Sequence, residues 1–120
     1  MKKTIVITGA SRGIGKAIAI ELAGKGTNIV INCVNNVDKL NEVRSIIEEK
    51  GSVWETFIGD MGNYSDVQKM FDMCLQRFGQ VDVLINNAGI SVVGLFQDMG
   101  EDEWHRICNT NIDSVFNCCH

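Results

Sequence analysis

Three glycines in the segment TGASRGIG, residues 8–15, separate an apolar stretch at 4–8 from an amphipathic helical pattern. A tight turn, a backbone held close to a phosphate group and a helix packed closely on a sheet all exclude a side chain, and glycine satisfies each of them. The free N–H groups at the start of a helix also bind anions. The segment therefore predicts a loop that binds the pyrophosphate of a dinucleotide.

Two other chemistries use similar segments, and each lacks a required partner here. Gly9-Ala-Ser-Arg-Gly13 matches the nucleophile elbow of α/β-hydrolases, but it follows the first strand, and His105 and His120 are the only histidines. A P-loop needs four residues between its glycines and then Lys-Ser/Thr, whereas five separate Gly9 from Gly15. A purely structural tight turn stays open as an alternative.

Further polar residues follow other apolar stretches. Asp60 comes directly after the stretch at 53–58, and Asn86-Asn87-Ala88-Gly89 comes after the one at 81–85. Asn111 interrupts an otherwise apolar helical face near the end of the chain, so it is either a hydrogen-bonded structural amide or a site residue.

Strand and helix patterns alternate along the chain, which indicates an α/β fold with a Rossmann-type, doubly wound parallel sheet. Right-handed crossovers give the strand order 3-2-1-4. Ligands bind where such an order reverses, between strands 1 and 4, and the turns after these two strands carry the glycine segment and the Asn-Asn segment. We expect one domain over 1–120, cut within the helix after the fourth strand, with later strands missing.

The helical patterns give specific expectations. The apolar stripe of the first helix is Ile14, Ala17, Ile18 and Leu22. Ser65 and Gln68 suit a capping box for the third helix. The last helix is expected to present one face made of Trp104, Ile107, Cys108, Asn111, Ile112, Val115, Phe116 and Cys119.

Bulk properties exclude several function classes. The net charge of −4 and the pI near 5.0, with no basic stripe, argue against nucleic-acid binding. No apolar run is long enough for a membrane span or a signal peptide, so a cytoplasmic location is expected. Five cysteines without Cys-x-x-Cys spacing predict free thiols rather than disulfides. Cys118-Cys119-His120 lacks a second ligand pair, so no metal site is expected.

The two motifs together resemble those of the classical short-chain dehydrogenases/reductases. Thr-Gly-x-x-x-Gly-x-Gly at 8–15 and Asn-Asn-Ala-Gly at 86–89 occur in that order in this family, and the resemblance extends over essentially all 120 residues. Within the family, the stretches at 8–15, 81–90 and 110–116 look most like those of bacterial 3-oxoacyl-[acyl-carrier-protein] reductases.

The resemblance implies roles for individual residues. The phosphates and the adenosine ribose of the cofactor would be lined by Gly9, Ser11, Arg12, Ile14 and Gly15. Asp60 and Met61 would hold the adenine, although Asp60 also suits the start of a helix. The cofactor wall would be Asn87, Ala88 and Gly89, with Ile90 towards the nicotinamide. Asn111 falls on the catalytic asparagine of the family.

The choice of cofactor depends on the end of the second strand. An NAD enzyme places an acid there to bind the ribose hydroxyls, but that position lies near Cys33, and Asp38 comes too late. The guanidinium of Arg12 is suited to pair with a 2′-phosphate. NADP(H) is therefore expected, with NAD(H) less favoured.

The resemblance implies an NADP(H)-dependent reduction of a carbonyl to an alcohol, with a small-molecule or acyl-carrier-bound substrate such as a 3-oxoacyl thioester. The family's Tyr-x-x-x-Lys pair is not in the chain, because Tyr64 is its only tyrosine and Gln68 lies four residues later. The chain is thus expected to be a catalytically incomplete part of an oligomeric parent enzyme, a homotetramer or homodimer. Acetoacetyl-CoA reductase, elongation factor P 5-aminopentanone reductase and a non-catalytic nucleotide-binding module remain alternatives.

Overall fold

The computed structural model describes residues 3–87 and 100–119, without the side chains of 103, 107, 109 and 110. Its centre is a four-stranded parallel sheet in the order β3-β2-β1-β4. The strands are β1 (Lys3–Ile7), β2 (Thr27–Cys33), β3 (Val53–Ile58) and β4 (Val83–Ile85). The predicted Rossmann-type strand order is confirmed, and β4 begins two residues later than expected.

Helices follow each of the first three strands. They are α1 (Gly13–Leu22), α2 (Val37–Glu49) and α3 (Tyr64–Phe78). Near the end of the chain, α4 (Glu101–Cys108) and α5 (Ser114–Cys119) are joined by a π-helical turn, Asn109–Asp113. No helix among residues 3–87 and 100–119 has the length and apolar character needed to cross a membrane.

Alternate residues of the central strands enter two separate cores, one on each face of the sheet. The first core includes buried residues of β1, β2, α1 and α2: Ile5, Ile7, Ala19, Ile29, Ile31, Leu40, Val43 and Ile47. The second includes buried residues of β1 and β2 and of the chain after β3: Val6, Val30, Met61, Val67, Met70, Cys74 and Cys118. Helices therefore cover both faces, as a doubly wound sheet requires.

The predicted apolar stripe of α1 is wrong at Ile14, Ala17 and Leu22, whereas Ile18 packs against the first core as expected. Ile14 is 72% exposed and Leu22 is 39% exposed, whereas Gly15, Ala19 and Ala23 are buried. These three residues are spaced four apart and lie on one face of the helix. Because all are small, the axis of α1 can approach the sheet closely, and the side chains of Ile14 and Leu22 remain exposed.

The predicted capping box of α3 is also wrong. The helix begins two residues after Gly62, and its N-cap is Asn63, whose side chain accepts a hydrogen bond from the backbone N–H of Asp66. Gln68 instead donates to the Tyr64 hydroxyl at 3.2 Å. Asparagine is as good an N-cap as serine. Asn63 can therefore cap the helix, which begins directly after the turn that follows β3.

The apolar face predicted for the last helix is not buried on this chain. Ile112 and Phe116 are 64% and 63% exposed, and the buried residues of α5 are Ser114 and Cys118. A π-helical turn contains an extra residue and rotates the next helix about its axis, so one uninterrupted helical period cannot describe both α4 and α5.

Candidate functional site

The glycine turn lies at the carboxyl end of β1, between that strand and the first turn of α1. Gly9 has φ of 63° and Gly13 has φ of 62°, both in the left-handed region that L-residues with side chains rarely adopt. The backbone N–H of Ala10 donates to the Asn32 carbonyl at 2.8 Å, which holds the turn against the end of β2. The turn thus needs glycine for its shape at both positions.

Gly15 needs to be glycine for a different reason, which is space. A Cβ at this position would lie 2.4 Å from Asn87 Nδ2 and 2.5 Å from the carbonyl oxygen of Gly9. Both distances are far below van der Waals contact, and one of the two atoms is backbone. Gly15 therefore allows α1 to begin directly over the turn.

Asn87 connects the end of β4 to the glycine turn. Its Nδ2 donates to the Gly9 carbonyl at 3.0 Å, and its backbone N–H donates to Thr8 Oγ1 at 3.0 Å. The backbone N–H of Thr8 in turn donates to the Ile85 carbonyl at 3.1 Å. The structure thus brings the two sequence motifs into direct contact between adjacent parallel strands.

Asn32 is a residue of this region that the sequence reasoning missed. It is 1% exposed, and its Oδ1 accepts a hydrogen bond from the backbone N–H of Gly9 at 3.3 Å. Its Nδ2 donates to carbonyl oxygens of Phe57 and Gly59 at 3.2 and 3.1 Å. The available signal was a polar amide within an apolar strand stretch, since such a group must find partners when it is buried.

The start of α1 provides N–H groups and no competing negative charge. The first turn of a helix has N–H groups without intrahelical partners. Arg12 occupies the N-cap position without a side-chain capping bond, and the first turn contains no acidic residue. Arg12 is exposed, Ile14 is exposed, and Ser11 is buried. This arrangement can accept an anion at the helix start.

The chain after β3 places the two predicted adenine residues differently. Asp60 is exposed, and its Oδ1 accepts from the backbone N–H of Gly62 at 2.8 Å in a local turn. Met61 is only 2% exposed, and its Sδ lies 3.7 Å from Cys118 Sγ within the second core. Met61 therefore packs against protein, and its carbonyl accepts a hydrogen bond from Asn117 Nδ2 at 3.1 Å.

The end of β2 carries no negative charge. Cys33 is buried at the last position of the strand, and burial raises the pKa of its thiol, so the group is neutral near pH 7. The first acidic residue after the strand is Asp38, in the first turn of α2. The position where a carboxylate would meet ribose hydroxyls is therefore occupied by an apolar, uncharged side chain.

Asn111 lies in the π-helical turn and is exposed rather than buried. It is therefore not a buried structural amide, and its role as a site residue stays a prediction. The predicted wall residues Ala88, Gly89 and Ile90 lie outside the residues that the structure describes.

The five cysteines are all free thiols, as expected. Burial, with a smaller contribution from neighbouring Cys119, raises the pKa of the Cys118 thiol to about 11. Within the described part of the chain, no three side chains of His, Cys, Asp or Glu are grouped so that they could hold a metal ion.

The chain matches a family model and curated proteins by sequence. The family model described as short chain dehydrogenase matches residues 3–120. The chain is 40% identical over 118 residues to the 3-oxoacyl-[acyl-carrier-protein] reductase FabG of Staphylococcus epidermidis, covering 98% of the chain and 48% of that protein. The chain thus spans about half the length of the curated relatives it matches.

Solved structures of similar fold carry the same family name. A short-chain dehydrogenase/reductase variant from Serratia marcescens superposes with a TM-score of 0.91 at 28% identity. The match covers 98% of the present chain and 48% of the Serratia marcescens chain. A short chain dehydrogenase from Bacillus anthracis gives 0.90 at 32% identity, with the same coverage of each chain.

Proposed function

The chain belongs to the short-chain dehydrogenase family, and we propose that its glycine turn binds NADP(H) for the reduction of a carbonyl to an alcohol. The observation that carries the proposal is the contact between the two motifs, in which Asn87 bonds the Gly9 carbonyl directly beside Gly15. Nothing larger than a hydrogen atom fits at Gly15, so the helix start and the turn form one surface for a pyrophosphate.

The residues present fit a dinucleotide. The N–H groups at the start of α1 would bind the pyrophosphate, with Ser11 and Ile14 beside it. The exposed Asp60 carboxylate would accept from the adenine amine, next to the buried Met61. The wall would continue from Asn87 through Ala88 and Gly89, with Ile90 towards the nicotinamide. The bound cofactor would supply the hydride.

Charge favours NADP(H) over NAD(H). Arg12 is exposed and belongs to the glycine turn, which the hydrogen bond from the Ala10 N–H to the Asn32 carbonyl holds near the end of β2. A guanidinium pairs well with a phosphate oxygen. The neutral Cys33 at the strand end offers no carboxylate for ribose hydroxyls and no repulsion to a 2′-phosphate.

The substrate class we propose is a 3-oxoacyl thioester, small or carried by an acyl carrier protein. Its support is the similarity to a protein named 3-oxoacyl-[acyl-carrier-protein] reductase. Asn111 is the catalytic residue we assign within this chain, on the match to the family's asparagine and on its exposure. Acetoacetyl-CoA reductase and elongation factor P 5-aminopentanone reductase chemistries belong to the same class of reaction.

We also propose a cytoplasmic location, which free cysteines suit, and a homotetrameric or homodimeric parent enzyme.

Titration with the two nucleotides tests the proposal. NADPH and NADH are titrated into the chain, and the fluorescence of the bound nicotinamide reports the dissociation constants. We expect NADPH to bind at least about tenfold more tightly than NADH. Only NADPH has a 2′-phosphate, which can make one additional charge-assisted contact. Comparable or tighter binding of NADH would contradict the NADP(H) assignment.

The variant Arg12→Ala sharpens this test, with Arg77→Ala as the matched control. Arg77 is also an exposed arginine, but it lies in the last turn of α3 and pairs with Glu55. We expect Arg12→Ala to reduce the preference for NADPH while leaving NADH binding unchanged. The control should change neither nucleotide.

A non-catalytic nucleotide-binding module is the second candidate, favoured by the lack of a Tyr-x-x-x-Lys pair in these residues. Translation of the DNA beyond the His120 codon discriminates between the two. A serine followed by Tyr-x-x-x-Lys downstream would support the reductase, whereas a stop codon would support the module.

A further inference from the structure

We infer that Asn32 is the positioning residue that fixes the spacing between the phosphate-binding turn after β1 and the adenine-binding segment after β3. This inference rests on the proposed NADP(H) site. Asn32 contacts neither part of the nucleotide in our assignment. It acts through the backbone of the two segments that do.

The carboxamide of Asn32 bonds to both segments at once. On one side, Oδ1 accepts from the Gly9 N–H at 3.3 Å, within the glycine turn. On the other side, Nδ2 donates to the carbonyls of Phe57 and Gly59, at the end of β3. Asn32 lies on β2, between β1 and β3 in the sheet order, so its side chain joins the two flanking strands.

The hydrogen-bonding pattern requires an amide with this orientation. The oxygen faces a backbone donor, while the nitrogen faces three carbonyl oxygens, including that of Cys33 at 3.3 Å. A carboxylate would place an oxygen against those carbonyls, and an aliphatic side chain would leave the partly buried Gly9 N–H without its acceptor. No other common side chain of this size both donates and accepts in this way.

The backbone of the same residue reinforces the connection. The Asn32 carbonyl accepts from the Ala10 N–H at 2.8 Å, and the next carbonyl, of Cys33, accepts from the Gly59 N–H at 3.0 Å. These bonds persist in any variant at position 32. The side chain therefore adds the bonds to Gly9 and to the Cys33, Phe57 and Gly59 carbonyls, and substitution removes only these side-chain bonds.

Asn28 provides a matched control on the same strand. It is also buried, at 8% exposed, and its Nδ2 donates to Thr4 Oγ1 at 3.2 Å. Since it lies four residues before Asn32, it is near the amino end of the parallel strands, away from the glycine turn. Asn28→Leu and Asn32→Leu both replace a buried amide with an aliphatic group of similar size.

The first measurement is NADPH affinity in the two variants of the chain, with unfolding in urea recorded alongside. We expect Asn32→Leu to weaken NADPH binding by about tenfold or more, and Asn28→Leu to change it less than about twofold, because only the first disturbs the turn. An Asn32→Leu chain that folds and binds NADPH as the unaltered chain does would overturn the inference.

The second measurement is hydrogen exchange of the Gly9 amide, which reports the position of the turn without any nucleotide. We expect exchange at Gly9 to be faster by about tenfold in Asn32→Leu and unchanged in Asn28→Leu. If the unaltered chain binds neither nucleotide, the proposed function fails, while faster exchange at Gly9 still supports the positioning role. Unchanged exchange would contradict that role whatever the chain binds.

Asn32→Asp keeps the test available if Asn32→Leu does not fold. It preserves the size of the side chain and the acceptor for the Gly9 N–H, and it loses the donors to the Phe57 and Gly59 carbonyls. We expect weakened NADPH binding with protection of Gly9 largely retained. Binding equal to that of the unaltered chain would show that the bonds to the β3 segment have no effect on the site.

Discussion

At Gly15, even the smallest side chain, a methyl group, would clash with neighbouring atoms. A methyl group there would overlap Asn87 Nδ2 and the Gly9 carbonyl, at 2.4 and 2.5 Å. We expect Gly15→Ala to abolish NADPH binding and to lower the free energy of unfolding by about 2 kcal/mol, a typical effect of overpacking. Urea unfolding and nucleotide titration measure the two effects.

Gly24→Ala is the control for this prediction. A Cβ at Gly24 would meet no atom within 4 Å, and the residue does not have a positive φ. We expect a change in unfolding free energy within about 1 kcal/mol, and unaltered nucleotide binding. A Gly15→Ala chain as stable as the control and still able to bind NADPH would contradict the close contact of turn and helix.

Single residues also show where sequence reasoning is limited. Three glycines and Asn87 could be assigned to one region because their roles depend on local backbone geometry and on strand order. Asn32 could not, because its importance comes from partners about 23 to 27 residues away in the chain. Met61 was placed correctly after β3, but the burial of its side chain in the second core was not foreseeable from its position.

At the scale of elements, α3 offers a clear test of which residue caps a helix. We expect Asn63→Ala to lower the free energy of unfolding by about 1 kcal/mol, because the N–H of Asp66 loses its side-chain acceptor. Chemical denaturation followed by circular dichroism measures this change.

Ser65→Ala is the matched control, since Ser65 is exposed within the first turn of α3. We expect a change of less than about 0.5 kcal/mol there, as for most exposed positions. The reverse order of the two effects would restore the capping box predicted from the sequence.

Helix α1 shows why the presence of a helix was easier to predict than the face that it buries. The glycine turn and the apolar period after it indicated the helix, but the apolar stripe was assigned to Ile14, Ala17, Ile18 and Leu22. In the structure Ile14 is 72% exposed while Ala19 is fully buried. Close packing of a helix on a parallel sheet favours small residues at the contact, and hydrophobicity alone does not rank them first.

At the scale of the whole molecule, the chain is expected to bind a nucleotide without completing a reduction. The family's Tyr-x-x-x-Lys pair is not among its residues, and the only tyrosine, Tyr64, lies at the start of α3. Without a positioned general acid, the proton transfer that accompanies hydride delivery lacks its catalyst.

We therefore expect the purified 120-residue chain not to reduce a 3-oxoacyl thioester with NADPH. The assay monitors the reaction by the loss of absorbance of the reduced nicotinamide. The full-length Staphylococcus epidermidis relative is the positive control for the assay. Measurable turnover by the chain would contradict this prediction and would require another proton donor within the chain.

The sequence by itself determined the parallel α/β fold, its strand order and the two motifs that meet at the reversal of that order. These properties depend on local signals, namely periodicity, glycine spacing and the handedness of crossovers. Only the tertiary structure decided which face of α1 is buried, that a π-helical turn divides α4 from α5, and that Asn32 joins the glycine turn to the end of β3. These features depend on contacts between residues distant in the chain, whose geometry is set when the sheet and helices pack together.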